Sequence, residues 1–258
     1  MISLRHVSKA YDQGRRFAIH DASLEIATHA FVAVIGDSGS GKTTLLKTIN
    51  RLVEPDEGEI VIEGKSVRQV AAYELRRRIG YVFQGIGLFP HLSVAENIGI
   101  TPSLLGWSRQ SIAERVTELI DLVRLPRDCL GRMPAELSGG QQQRVGLARS
   151  LAARPGIMLM DEPFGALDPV TRDEIGAEYR RLHDGMSLTT LMVTHDVMEA
   201  LLLADRIVVV RAGEIVADGA PRELLSAEQD EGVRKLMETP RRQAERLRFL
   251  MENRVGRG

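Results

Sequence analysis

The chain has 258 residues, 43% of them hydrophobic and 27% charged, with a formal net charge of -1. That suffices for one large domain or two lobes around a buried core, and the near-zero charge argues against a nucleic-acid binder, which needs a basic face. A single cysteine, Cys129, excludes an internal disulfide framework and suggests a reducing compartment, while the lack of a leader pattern or of an apolar run near 20 residues leaves only a peripheral role at a membrane.

In chain order, residues 2–6 and 17–26 read as antiparallel strands of a separate edge sheet. Residues 31–35 (Phe-Val-Ala-Val-Ile) form a continuous apolar run that ends at Gly36, a buried strand feeding a loop. Residues 42–51 read as a helix, and 58–62 and 79–83 as further strands. Ser111 and Glu114 fit a capping box, followed by Ile112, Val116, Leu119, Ile120 and Val123 at helical spacing. A second long helix spans 140–153. Strands return at 157–160, 189–193 and 206–210. The alternation predicts an α/β fold with a parallel sheet: a core of residues 1–87 and 155–225, with a helical lobe, 88–154, inserted. From 226 to 258 the chain is charge-rich, Arg241, Arg242, Arg246 and Arg248 mixed with acids, and reads as a solvated helical tail. A docking or dimer-contact role is the other use of such a tail.

Residues 36–43, Gly36-Asp37-Ser38-Gly39-Ser40-Gly41-Lys42-Thr43, with Thr44 next, lie between the predicted strand and helix. They match the phosphate-binding loop pattern. Glycines let successive N–H groups face phosphate oxygens, and the helix N-terminus adds favourable dipole charge. Lys42 is expected to reach the β- and γ-phosphates, and the Thr43 hydroxyl to ligate Mg²⁺. Asp161 ends a buried strand, where a carboxylate is costly unless a cation is near; it fits a Mg²⁺ site. Glu162 follows on the opposite side of the strand direction, where it could deprotonate an attacking water. Met158 and Met160 read as core filling.

Leu137-Ser138-Gly139-Gly140-Gln141 lies about a hundred positions after the phosphate loop. With these two motifs the chain resembles the nucleotide-binding subunits of ATP-binding-cassette transporters, over about residues 1–225. The resemblance implies a P-loop (RecA-like) ATPase core with an antiparallel edge sheet and an inserted helical subdomain. It implies two copies sandwiching two ATP molecules head to tail, with Ser138, Gly139 and Gly140 of one copy against the γ-phosphate held by Lys42 of the other and Gln141 part of the same nucleotide-binding sequence. Tyr11 matches the adenine-stacking aromatic, and Gln84 the glutamine that touches Mg²⁺ and senses the membrane subunit. Asp168 matches the loop that pairs across the dimer, and His195 the histidine that contacts the γ-phosphate. His91 and the other histidines read as structural.

Ile49-Asn50-Arg51-Leu52, residues 74–84, Ile86-Gly87-Leu88-Phe89-Pro90-His91 and Leu104-Leu105-Gly106-Trp107 are similar to the osmoprotectant importers of glycine betaine, choline and carnitine. That implies membrane permease partners, a substrate-binding protein delivering solute through them, and a peripheral place on the cytoplasmic face of the inner membrane. The chain stops at Gly258, so the tandem regulatory pair that many such importers append, or the β-rich domain of sugar and polyamine importers, is not expected. Gly85 stands where a second glutamine is frequent. The other readings are an importer ATPase for another solute (an amino acid, a sulfonate, another amine) or for lipid movement, a non-transport ATPase of DNA repair or translation, and a kinase. The uninterrupted single cassette argues against the repair and translation readings, and Ser138–Gln141 against a kinase.

Overall fold

The computed structural model describes residues 1–12, 16–85, 87–226 and 231–252; Ile86 and the tail positions 227–230 and 253–258 lie outside them. Two sheets organise the chain. A four-stranded antiparallel sheet has the order β2-β1-β4-β5, formed by β1 (Ile2–Tyr11), β2 (Arg16–Ile26), β4 (Glu57–Ile62) and the short β5 (Lys65–Ser66). The second sheet has six strands in the order β10-β9-β3-β8-β7-β6. Its members are β3 (Phe31–Ile35), β6 (Ile79–Val82), β7 (Ile157–Asp161), β8 (Thr189–Val193), β9 (Arg206–Arg211) and β10 (Glu214–Gly219). All pairs in it are parallel except β9 with β10.

The strand at 58–62 does not continue the parallel series. It pairs antiparallel with β1, Ile2 opposite Ile62 and Leu4 opposite Ile60. This places Ile2, Leu4 and Ile60 in one cluster with Val32 and Val34 of β3.

β3 reads as uninterrupted apolar sequence because both of its faces are covered. Phe31, Ala33 and Ile35 enter one cluster and Val32 and Val34 the other. Helix α1 (Lys42–Ile49) puts Leu45, Leu46 and Ile49 against the second face. Between α1 and β6 lies α2 (Ala72–Arg78), which buries only Leu75.

The described chain between β6 and β7 is helical: α3 (Val94–Leu104), α4 (Arg109–Leu122) and α5 (Gly139–Leu151), with two short 3₁₀ turns. Ile98, Val116, Leu119, Ile120, Val145 and Ala148 pack together there, in the cluster that also covers Phe31 and Met160. The capping box expected at Ser111 is absent. α4 starts three residues earlier, and the Ser108 hydroxyl accepts the Ser111 N–H at 3.1 Å. Glu114 therefore lies inside the helix and accepts from Gln110 at 3.0 Å. A serine three residues ahead of Ser111 offered the same cap chemistry one turn earlier, and longer helices are favoured once nucleated.

α6 (Pro169–Met186) precedes β8, and α7 (Val197–Leu203) precedes β9. The chain closes with α8 (Pro221–Leu224) and α9 (Glu231–Glu252). Within the tail, the described residues 231–252 form α9, and one face of its first turns is not solvated while Arg234 and Lys235 stay exposed. Val233 and Met237 are buried in the main core, four residues apart on one helix face.

Candidate functional site

The ends of the parallel strands bring the site together. Val34 of β3, Val193 of β8 and Asp161 of β7 stand in one row across the sheet. The segments leaving these carboxyl ends must open on one side, where open α/β sheets bind ligands. They are the glycine loop after β3, Glu162 after β7, His195 after β8 and Gln84 after β6.

In the loop, Gly36 has φ +149° and Gly41 φ +106°. A Cβ at Gly36 would lie 2.0 Å from the Val210 carbonyl oxygen, and one at Gly41 1.9 Å from that of Ala18. The loop thus runs against the backbones of β9 and β2, an approach open only to glycine. Lys42 Nζ donates to the carbonyls of Gly36 at 2.8 Å and Asp37 at 2.7 Å. The loop curls around an ammonium group, which is buried. Burial pulls the Lys42 pKa below its usual value, against the opposing effect of Glu162, Asp37 and Asp161.

Thr43 donates its hydroxyl to Asp161 Oδ1 at 2.9 Å. Asp161 is buried, and that burial raises its pKa, with the Thr43 hydrogen bond, Lys47 and Lys42 acting in the other direction. Glu162 does not continue the strand. Its φ of +49° turns the chain out of the sheet, while its N–H donates to Val193 O at 2.8 Å. The carboxylate then faces His195, with Nδ1 3.2 Å from Oε1.

These groups border a cleft of about 590 Å³. Of the residues singled out in the sequence, Tyr11, Ser38, Gly39, Gly41, Lys42, Thr43, Thr44, Gln84, Glu162 and His195 line it. Gly36, Asp37 and Ser40 form the turn behind Lys42, and Asp161 lies beneath Thr43. Gln84 follows two residues after β6 ends and does not belong to the strand. Asp12, Arg16, Phe17 and Ala18 also line the cleft. Their closeness to Tyr11 in sequence is the signal that would have found them, since a strand pair returning on itself places both ends together.

Ser138, Gly139, Gly140, Gln141 and Asp168 do not line the cleft. Ser138 caps α5 in a reciprocal box: its hydroxyl accepts the Gln141 N–H at 3.3 Å, and Gln141 Oε1 accepts the Ser138 N–H at 2.9 Å. Asp168 caps α6, accepting the Thr171 N–H at 3.0 Å, and that bond lowers its pKa. The two caps are neighbours, for a Cβ at Gly140 would lie 3.4 Å from Leu167 Cδ2. Gln143, buried on α5, donates to Pro163 O at 2.7 Å and ties that helix to the residue after Glu162. Sequence reasoning missed Gln143, because a glutamine inside a polar run carries no mark of burial.

Among the described residues, no group of three or more His, Cys, Asp or Glu side chains is arranged to hold a metal. Thr43, Asp161 and Gln84 offer hard oxygen donors, the kind Mg²⁺ takes one or two at a time beside phosphate oxygens. Asp161→Asn tests this balance. With its folded pKa above the unfolded value, Asp161 supports folding in its protonated form and loses that support as pH rises through the folded pKa. The variant is therefore expected to melt at a higher temperature than wild type at neutral pH without nucleotide. The gap should close as the pH falls below the ordinary carboxylate range. Calorimetry across pH checks this.

A family model described as "ABC transporter" matches residues 19–165. The choline transport ATP-binding protein of Bacillus subtilis is 49% identical over 237 residues, 92% of this chain and 62% of that protein. The glycine betaine uptake system ATP-binding protein of Escherichia coli is 50% identical over 235 residues, 91% of this chain and 76% of that protein. The chain thus spans about three fifths of the Bacillus relative's length. Among solved structures, a dimeric ATP-binding cassette in a post-hydrolysis state with ADP and Pi superposes with a TM-score of 0.81 at 34% identity, covering 86% of this chain and 99% of that one.

Proposed function

This chain belongs to the ABC transporter family, and on that premise we propose that it is the ATP-hydrolysing subunit of an importer for a quaternary amine such as glycine betaine. The observation that carries the reading is one cleft lined by Lys42, Thr43, Glu162 and His195, with Glu162 paired to His195 and Thr43 bonded to Asp161 beneath it.

The loop N–H groups and Lys42 bind the β- and γ-phosphates of ATP, and Tyr11, 46% exposed at the rim, stacks on the adenine. Thr43, Asp161 and Gln84 would hold Mg²⁺, which neutralises charge on the transferring phosphoryl group when bound. Glu162 orients a water and takes its proton as the water oxygen attacks the γ-phosphorus and the bond to ADP breaks. His195, beside Glu162 in the cleft, contacts the γ-phosphate.

One copy leaves the cleft incomplete. The capped N-terminus of α5, with Ser138, Gly139 and Gly140, is a second N–H-rich anion site outside its own cleft. In a head-to-tail pair it closes over the partner copy's nucleotide, with Asp168 at the seam. Closure moves the residues of 88–154 relative to the sheet. A groove of about 360 Å³ between those helices and β6, lined by Leu52, Arg76, Phe83, Phe89, Leu104 and Arg149, suits a cytoplasmic helix of a separate permease. No helix of the described residues is long and apolar enough to cross a membrane, and a peripheral place on the cytoplasmic face of the inner membrane agrees with that. A substrate-binding protein would deliver solute to the permease.

The test is uptake of labelled glycine betaine in cells lacking their own osmoprotectant importers and expressing this chain with its permease and binding protein. Uptake with wild type and none with Glu162→Gln is the expected result. ATP hydrolysis by the assembled complex without betaine uptake would keep the transport ATPase and discard the solute.

A further inference from the structure

Arg172 lies in the first turn of α6, four positions after Asp168, and the chemistry above does not use it. Its side chain is 27% exposed and touches two loops far apart in sequence. Nη2 donates to Leu167 O at 3.2 Å, the carbonyl beside Asp168. Nη1 donates to Asp196 Oδ2 at 3.2 Å. Nε is buried 3.6 Å from Glu199 Oε1, an ion pair beyond hydrogen-bond distance.

Glu199 carries the connection onward. It is buried, and its Oε2 accepts the Thr194 hydroxyl at 2.6 Å. The Thr194 oxygen in turn accepts the Asp196 N–H at 3.0 Å. Both sequence neighbours of His195 are therefore held by one network. The His195 side chain is itself 66% exposed, with Glu162 Oε1 as its charged neighbour at 3.2 Å. Its aim depends on how firmly Thr194 and Asp196 are held. A planar guanidinium can donate to a carbonyl and a carboxylate at once with a second carboxylate still at ion-pair distance, which a single ammonium cannot do with the same geometry.

We propose that Arg172 is a positioning residue for hydrolysis, fixing the loop that bears His195 to the loop that bears Asp168. Seating of His195 opposite Glu162 then depends on the conformation of the segment that meets the second copy. An unengaged Asp168 loop leaves His195 loosely aimed, and an engaged one sets it. This inference rests on the functional reading given above.

Arg172→Met alone would strand Glu199 as a buried unpaired charge and threaten folding. The paired variant Arg172→Met/Glu199→Gln removes both charges and keeps an acceptor for Thr194. Steady-state ATP hydrolysis by the assembled transporter would be measured for this variant, for Arg172→Lys, and for each combined with Asp168→Ala. The paired variant is expected to lose about tenfold or more in kcat, the scale of a slightly misplaced group, with KM for ATP little changed because Lys42, Thr43 and Tyr11 are untouched. Arg172→Lys should recover part of that loss. In the Asp168→Ala background the same changes should cost much less, since coupled sites are not additive. Unchanged kcat in the paired variant, additive losses with Asp168→Ala, or a kcat loss matching a fall in folded fraction by circular dichroism would each overturn the proposal. A wild-type complex without ATP hydrolysis would take the functional reading down with it, whereas wild-type turnover with an unaffected paired variant removes Arg172 alone.

Discussion

Glu162→Gln is expected to reduce ATP turnover by about a thousandfold, the scale of losing a general base, while ATP still binds and the chain accumulates as an ATP-bound dimer. The backbone geometry predicts a clean effect. Glu162 is placed by its positive φ and by its N–H bond to Val193 O, and glutamine keeps both. The side chain retains its length and an oxygen that can accept from His195, but it cannot take a proton from water. Lys42, Thr43 and Asp161, which hold the phosphates and Mg²⁺ in this reading, do not depend on that carboxylate for their hydrogen bonds. Single-turnover hydrolysis and light scattering with and without ATP check the two halves together. A monomeric variant hydrolysing ATP at the wild-type rate would sink the assignment of both the base and the dimer.

Gly41→Ala is expected to cost about 2–5 kcal/mol of stability, summing an unfavourable backbone conformation and a steric clash, and to abolish nucleotide binding. The new methyl group would stand 1.9 Å from the carbonyl oxygen of Ala18. That oxygen belongs to β2, which pairs along its length with β1 and cannot swing away as a side chain would. Gly41 immediately precedes Lys42 and Thr43, so any retreat of the loop displaces both. Gly39→Ala is the matched control: φ there is +77°, but nothing lies within 4 Å of the added carbon. It should cost about 1 kcal/mol, the left-handed backbone penalty alone. Urea melts and binding of a fluorescent ATP analogue separate the two, and equal effects at both glycines would show that crowding by Ala18 is irrelevant.

Much of the candidate site was legible because its parts are local. A glycine loop between a buried strand and a helix is written in consecutive residues 36–43. The same holds for Asp161 at the end of an apolar run and for the serine-glycine start of α5. Strand periodicity gave the parallel sheet its members, since a strand covered on both faces is apolar throughout. Errors arose where the local signal had two solutions. Ser108 and Ser111 both offer a helix cap, and only the length of α4 chooses between them. Residues 58–62 have strand character, but pairing with β1 is a long-range choice. Val233 and Met237 look like part of a charged tail until the core they enter is known.

The sequence by itself determined the chemical inventory of this protein: a glycine-rich loop ending in Lys42 and Thr43, a strand-end carboxylate pair, a second glycine-rich helix start and the histidine that follows a buried strand. Only the tertiary structure decided their distances. Thr43 meets Asp161 across 118 positions of chain because β8 lies between β3 and β7, with the three strand ends in register. It also decided that Gln143 would hold Pro163 and that Arg172 would bridge Leu167 to Asp196. The reason is physical: backbone propensity and apolar periodicity act within a few residues, whereas strand order and buried polar contacts are settled by which surfaces can be desolvated together, a property of the whole packed chain.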